Sequence, residues 1–165
     1  MTASRHAVVS AALAAGCGLA WNSAAAAAGA FAGGTLLDID HLLDYRWNRV
    51  GPFEVRRFVR FCNQYRLRKY YLFLHSFEWL VPFCLVAWLA GAPPWMQAAA
   101  VGLVVHIAMD IHGNGMRLSA YFFLFRVRRG FDSRAFVLRL PPEAIRWWGS
   151  LEAYRKGRPE KRSSP

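Results

Sequence analysis

Charge is missing where a soluble protein would normally carry it. Residues 7–37 contain no Asp, Glu, Lys or Arg, a run too long and too apolar for an ordinary surface segment. Acidic residues are scarce throughout: ten Asp and Glu stand against 21 Lys and Arg, for a net charge of +11. Cysteine is scarce too. Cys17, Cys62 and Cys84 lie far apart, are odd in number and form no CxxC pair, which excludes a thiolate zinc site and a disulfide framework. No serine or cysteine sits beside a base at a spacing that suggests a nucleophile.

What is present is segregated. At 165 residues the chain has the length of one domain. Eight basic residues fall between Arg46 and Lys69, and eleven more between Arg126 and Arg162. Both blocks adjoin apolar segments. That placement suits loops held on the cytoplasmic side of a membrane, where an anionic leaflet would attract them. Membrane lipids are the expected partner; nucleic acid, the other reading of so basic a chain, is not expected.

The apolar stretch 7–37 breaks at Trp21-Asn22-Ser23 and predicts a hairpin of two short helices, roughly 6–20 and 24–37. Each is about 21 Å long, short of the ~30 Å bilayer core, a mismatch that local thinning can absorb. Their glycines and alanines favour close helix contact. A cleaved signal peptide over residues 1–23 is the rival reading, although its basic end holds one arginine. Segments 70–92 and 94–113 supply a second pair of spans, turning at Gly91-Ala92-Pro93-Pro94. Residues 117–126 are too short to span and suit the interface, as does a short helix over 143–154. The tail 155–165 reads as disordered and basic.

The expected architecture is therefore all-α: an integral membrane bundle of about four transmembrane helices plus short interfacial helices. It forms one domain over 1–154 with a basic cytoplasmic loop at 38–69, a multi-pass protein of the inner (cytoplasmic) membrane.

Counting the topology back from the basic loops places the unusual residues together. Asp38, Asp40, His41 and Asp44 follow the second helix. His75 and Glu78 open the third, His106, Asp110 and His112 close the fourth, and His6 opens the first. All fall within roughly 12 Å of the cytoplasmic boundary. Several carboxylates gathered there repel one another unless a cation or proton lies between them. Mixed imidazole and carboxylate ligands suit a divalent ion such as Zn, Mn or Fe. His106 and Asp110 are spaced i, i+4 and share a helix face. Asp38 and Asp40 are spaced i, i+2 and would point the same way from extended chain.

The expected metal ligands are Asp38, Asp40, His75, His106 and Asp110, with His41 and His75 in catalytic roles, His41 as ligand or proton shuttle. The competing account of this group is a polar network that fixes helix packing. His6 and His112, taken singly, read as interfacial or hydrogen-bonded residues rather than ligands. Asp44 reads as solvated or paired with an arginine, and Glu78 as paired with a snorkelling base.

These residues resemble a family, the bacterial membrane-bound metal-dependent hydrolases that include LexA-regulated inner-membrane proteins. The similar features are His6, the stretch Gly33-Gly34-Thr35-Leu36-Leu37-Asp38-Ile39-Asp40-His41, the pair His75-Ser76, and His106 four residues before Asp110. A short apolar segment ending in basic residues follows, Leu118 to Arg129. The resemblance covers roughly residues 5–130. It departs where the family has proline before the first Asp and this chain has Leu37. It departs again where an Arg-Gly-x-Thr lead is replaced by Tyr71-Leu72-Phe73-Leu74, and after the last Asp, where a threonine often begins the segment and His112-Gly113-Asn114 stand here. The resemblance implies a metal-dependent hydrolase; its expected place at the cytoplasmic membrane face and the nearby arginines point to a phosphoester or lipid-linked substrate. The alternative is a non-enzymatic membrane protein that binds or conducts an ion through the same Asp/His cluster.

Overall fold

The computed structural model describes residues 3–48 and 51–159. Among these the protein is all-helical, with two isolated antiparallel bridges and no strand. The chain groups into two compact units. The first draws its described residues from Met1–Asp40 and Leu72–Gly113, the second from His41–Tyr71 and Asn114–Pro165.

The first unit is built on α1 (Ala3–Ala20), α2 (Ala24–Thr35), α5 (Phe77–Leu89) and α6 (Pro94–Gly113). α1 ends where Asn22 takes a left-handed backbone, φ 45°. Ser23 then caps α2, its hydroxyl accepting from the Ala26 N–H at 3.2 Å. This is the predicted hairpin, broken at the predicted place. α2 packs against α6 with almost no side chain between them: a Cβ on Gly33 would collide with the Ala99 carbonyl, and one on Gly102 with the Ala30 carbonyl. Small residues thus set the helix separation, as in membrane helix pairs. α6 begins with Pro94, where a missing N–H costs nothing, and coincides with the predicted segment 94–113.

Two expectations are corrected here. Segment 70–92 becomes helical only from Phe77. Residues ahead of it are irregular, held by bonds such as that from the Leu74 N–H to Asp40 Oδ2 at 2.9 Å. α2 likewise ends at Thr35, followed by a 3-10 turn, Leu36–Ile39. As a result α6 alone among the described residues is both long and apolar enough to cross a membrane, and four spans of full length are not present.

The second unit carries α3 (Asp40–Trp47, from His41 onward), α4 (Val55–Asn63), α7 (Phe123–Arg128), α8 (Pro142–Trp148) and α9 (Leu151–Lys156). Its core gathers Tyr65, Val137, Leu140, Ala144 and Tyr154. Helices this short have little cooperative stability of their own, and side chains bonding to backbone hold the unit together. The Asn48 amide bonds both ways with the Lys69 backbone, at 2.8 and 2.9 Å. Ser133 Oγ donates to the Leu67 carbonyl at 3.0 Å and accepts from Tyr154 at 2.8 Å. The segment 38–69, read as a loop, therefore holds α3 and α4. Segment 117–126 is a 3-10 turn, Leu118–Tyr121, running into α7. Within the expected disordered tail, Arg155 and Lys156 form the last turn of α9, and residues 160–165 lie outside the described residues.

Candidate metal centre

Helix direction brings four helix ends of the first unit together. His6 lies in the first turns of α1, Asp38 in the turn that follows α2, and His75 just ahead of α5. His106 and Asp110 lie in the last two turns of α6. His6, His75, His106, Asp40 and Asp110 are each at most 3% exposed. Asp38 is the open member, its side chain 28% exposed.

The innermost atoms are His75 Nε2, His106 Nε2, Asp38 Oδ1 and Asp110 Oδ2. The two imidazole nitrogens face each other at 3.2 Å. His75 Nε2 lies 3.4 Å from Asp110 Oδ2 and 3.8 Å from Asp38 Oδ1. His106 Nε2 lies 3.6 Å from Asp110 Oδ2 and 3.5 Å from Asp38 Oδ1. These distances form two triangles that share the His75–His106 edge, one closed by Asp110 Oδ2 and one by Asp38 Oδ1, with sides of 3.2–3.8 Å. Ligand atoms bound to one zinc ion at about 2.1 Å are spaced comparably.

Outer contacts fix which nitrogens carry protons. His106 Nδ1 is 2.8 Å from the Gly34 carbonyl oxygen. A carbonyl can only accept, so Nδ1 must hold the proton and a neutral ring presents a lone pair at Nε2. His75 Nδ1 meets Asp40 Oδ2 at 3.1 Å, which orders its ring the same way. With both rings neutral, two lone pairs and two carboxylate oxygens confront one another, all acceptors. Either protons on the Nε2 atoms or a cation relieves that repulsion, and a cation makes the group a ligand set. His6 completes the outer layer. Its Nε2 lies 3.0 Å from Asp110 Oδ1, and its ring stacks on His106 at 3.9 Å. The buried His/Asp group can hold a metal ion, and His6, His106 and Asp110 offer ligand atoms close enough for one by themselves.

Side-chain atoms of Asp38, His106 and Asp110 gather at His75 Nε2, whereas Asp40 meets the same ring at Nδ1. The i, i+2 argument required extended chain. The backbone instead turns as a 3-10 helix through Leu36–Ile39, which sends Asp38 to the Nε2 side of His75 and Asp40 to the Nδ1 side. His41 belongs to the second unit, where its Nδ1 lies 3.9 Å from Asp44 Oδ2.

Asp44 is not solvated: it is fully buried, and its Oδ1 accepts from the Tyr71 N–H at 2.7 Å. Glu78 is exposed in the first turn of α5, where a carboxylate complements the helix dipole. His112 is exposed and bonds the Ala108 carbonyl within its own helix, as read from the sequence. His6, read from the sequence as interfacial or hydrogen-bonded rather than as a ligand, is buried and hydrogen-bonded to Asp110, and it also lies close enough to His106 and Asp110 to share an ion with them.

Compared with known proteins, the chain matches no family model, no curated protein and no solved structure.

Proposed function

We propose that the protein is a membrane-embedded, metal-dependent hydrolase working at the cytoplasmic membrane face on a phosphoester or lipid-linked substrate. The observation that carries this reading is the convergence of Asp38 Oδ1 and Asp110 Oδ2 on the facing His75 Nε2 and His106 Nε2, each oxygen 3.4–3.8 Å from both nitrogens. The resemblance to the membrane-bound metal-dependent hydrolases rests on the same residues. A divalent ion in this nest supplies Lewis acidity and a water of lowered pKa.

The chain's own residues divide the remaining work. Asp40 and the Gly34 carbonyl orient the two imidazoles through their Nδ1 atoms, and His6 orients Asp110, the kind of outer support on which ligand geometry depends. Asp38 is the ligand that can yield a position: it is the one exposed to solvent, and it sits on a 3-10 turn rather than inside a helix. Water and substrate approach from its side.

Membrane placement is supported by the outer surface of the first unit. Val8, Leu19, Val81, Leu85, Leu89 and Val104 are all exposed, and no charged residue occurs between Glu78 and Asp110. α1, α2 and α5, shorter than the bilayer core, would pack around α6 and thin the bilayer locally.

A second reading is favoured by one observation. Four protein donors converge, the number that fills a structural zinc site, whereas catalytic zinc sites leave one position open. The test is metal analysis and phosphodiesterase or lipase assay of the purified chain beside Asp38→Ala and His106→Ala. Hydrolysis that disappears in both variants, with helix content retained, supports the enzyme. Bound metal with no turnover, or an ion flux in proteoliposomes, supports the ion-binding reading. A chain that retains no metal refutes both.

A further inference from the structure

α4 of the second unit is a helix that nothing in that unit buries. None of its nine residues is buried, yet its composition is sharply two-sided. At 100° per residue, Phe58, Phe61 and Cys62 fall on one arc, Val55 and Val59 on the next, and Arg56, Arg57 and Arg60 on the opposite one. The first arc is accounted for. Tyr45, 2% exposed, packs edge-on against Phe58 at 5.7 Å and Phe61 at 6.2 Å, and against Phe53 at 5.9 Å just before the helix.

The second arc faces outward. Val55 is 64% exposed and Val59 42%, one turn apart, and Phe53 is 59% exposed beside them. This apolar edge borders the arginines directly. Around it the charge has one sign: residues 51–69 hold six basic side chains (Arg56, Arg57, Arg60, Arg66, Arg68, Lys69) and one acidic, Glu54. Glu54 lies 3.8 Å from Arg57 on the surface. Arg66 is locked between Phe61 and Trp147, its guanidinium 4.1 and 3.9 Å from the ring centres, which fixes the end of the helix to the rest of the unit.

An exposed apolar edge flanked by arginines is the pattern of a helix lying in a membrane interface, with aliphatic groups among the upper acyl carbons and guanidinium groups on phosphates. The charge selects the lipid. Each basic residue near an anionic leaflet strengthens attachment about fivefold, and a neutral leaflet offers no such gain. We infer that α4 is an amphipathic docking helix for anionic lipid, with Val55 and Val59 immersed and Arg56 and Arg60 on headgroup phosphates. The inference rests on the membrane placement proposed above and is independent of the metal centre.

The test uses the full chain with Cys17, Cys62 and Cys84 replaced by alanine and an environment-sensitive fluorophore on Val59→Cys. The labelled chain is reconstituted into nanodiscs of phosphatidylcholine or of a phosphatidylglycerol-rich mixture. In anionic discs the emission shifts to the blue, and quenching by lipids spin-labelled near the headgroup is at least twice that in neutral discs. The same fluorophore on Arg57→Cys stays water-like. The combined Arg56→Gln and Arg60→Gln variant, with helix content checked by circular dichroism, loses the difference between the two lipids. A water-like signal from Val59→Cys in anionic discs overturns the proposal, as does equal quenching in both lipids. Carbonate extraction of membranes reports separately on embedding: a chain that is extracted overturns the membrane placement whatever α4 does.

Discussion

The two units solve the burial of polar groups in opposite ways. The first hides its polarity in one place: five His and Asp side chains sealed at the ends of helices that otherwise carry alanine, glycine, leucine and valine. The second spreads its polarity out, tying short helices together with Asn48, Asp44, Ser133 and Tyr154, each bonded to backbone or to one another. Concentrated polarity holds several like groups against each other and asks for a cation. Distributed polarity satisfies these four groups locally, although the buried Tyr70 hydroxyl and Gln64 Oε1 of the same unit have no hydrogen-bond partner among the described residues. The comparison predicts that a bound cation stabilises an intact first unit and leaves the second indifferent.

The sharpest way to break that contrast is Asp110→Ala. It removes the Oδ2 corner of the His/Asp group and strips His6 of its acceptor at once. Metal affinity should fall by more than the ~100-fold upper figure for an outer partner, read by titration with a competing chelator. Metal added in excess should raise the thermal midpoint of the parent and not that of the variant. A variant that binds as tightly as the parent would mean the corner lies elsewhere. A milder lesion is Asp40→Asn. The amide oxygen can still accept from the Leu74 N–H, so the irregular segment should keep its path. The charge opposite His75 Nδ1 is lost. Affinity should drop ~10–100-fold with little change in helix content. A drop as large as that of Asp110→Ala would make Asp40 a direct ligand after all.

Much of the first unit was legible because its signals are local or periodic. The break at Trp21-Asn22-Ser23 needs only a turn and a capping serine, and 94–113 needs only a proline and a long uncharged run. His106 and Asp110 meet because an i, i+4 pair shares a face wherever the helix goes. What could not be read was conformation decided at a distance. Whether Asp38 and Asp40 point together depends on the 3-10 turn between them. Whether 70–76 is helical depends on carboxylates thirty residues earlier. α3 and α4 hid in a stretch scored only for its charge, although the two-sided pattern of 55–63 was available to be seen. Asp44 looked like a surface residue because burial at zero exposure follows from the Tyr71 backbone reaching it, which no spacing announces.

In the second unit the matching lesion is Ser133→Ala. It leaves the Leu67 carbonyl and the Tyr154 hydroxyl each short of a partner in a buried place, a cost of ~1–3 kcal/mol. Burial already holds the Tyr154 hydroxyl well above its ordinary pKa, so the phenol stays neutral and cannot recover the loss by ionising. Chemical unfolding should show the destabilisation, and metal titration should show none. A loss of metal affinity in this variant would mean that the two units do not bear their polarity separately.

The smallest effect expected is electrostatic. Asp132 receives hydrogen bonds from the Arg134 guanidinium at 2.6 and 2.9 Å and from its backbone N–H at 3.0 Å, which hold its carboxyl below the ordinary value. A carboxyl whose folded pKa is depressed contributes stability that is fully present above the unfolded pKa, about 3.9. That contribution is lost as pH falls through the folded value. The pair is about one-third exposed on each side, so its worth is screened to below ~1 kcal/mol. Since acid acts on the whole chain, the readout is a difference. Urea midpoints are compared for the parent and Asp132→Asn at about pH 6 and about pH 3. The gap between them should narrow on acidification. A gap that stays constant or widens would show that the Asp132–Arg134 contact gives the second unit no acid-sensitive stability.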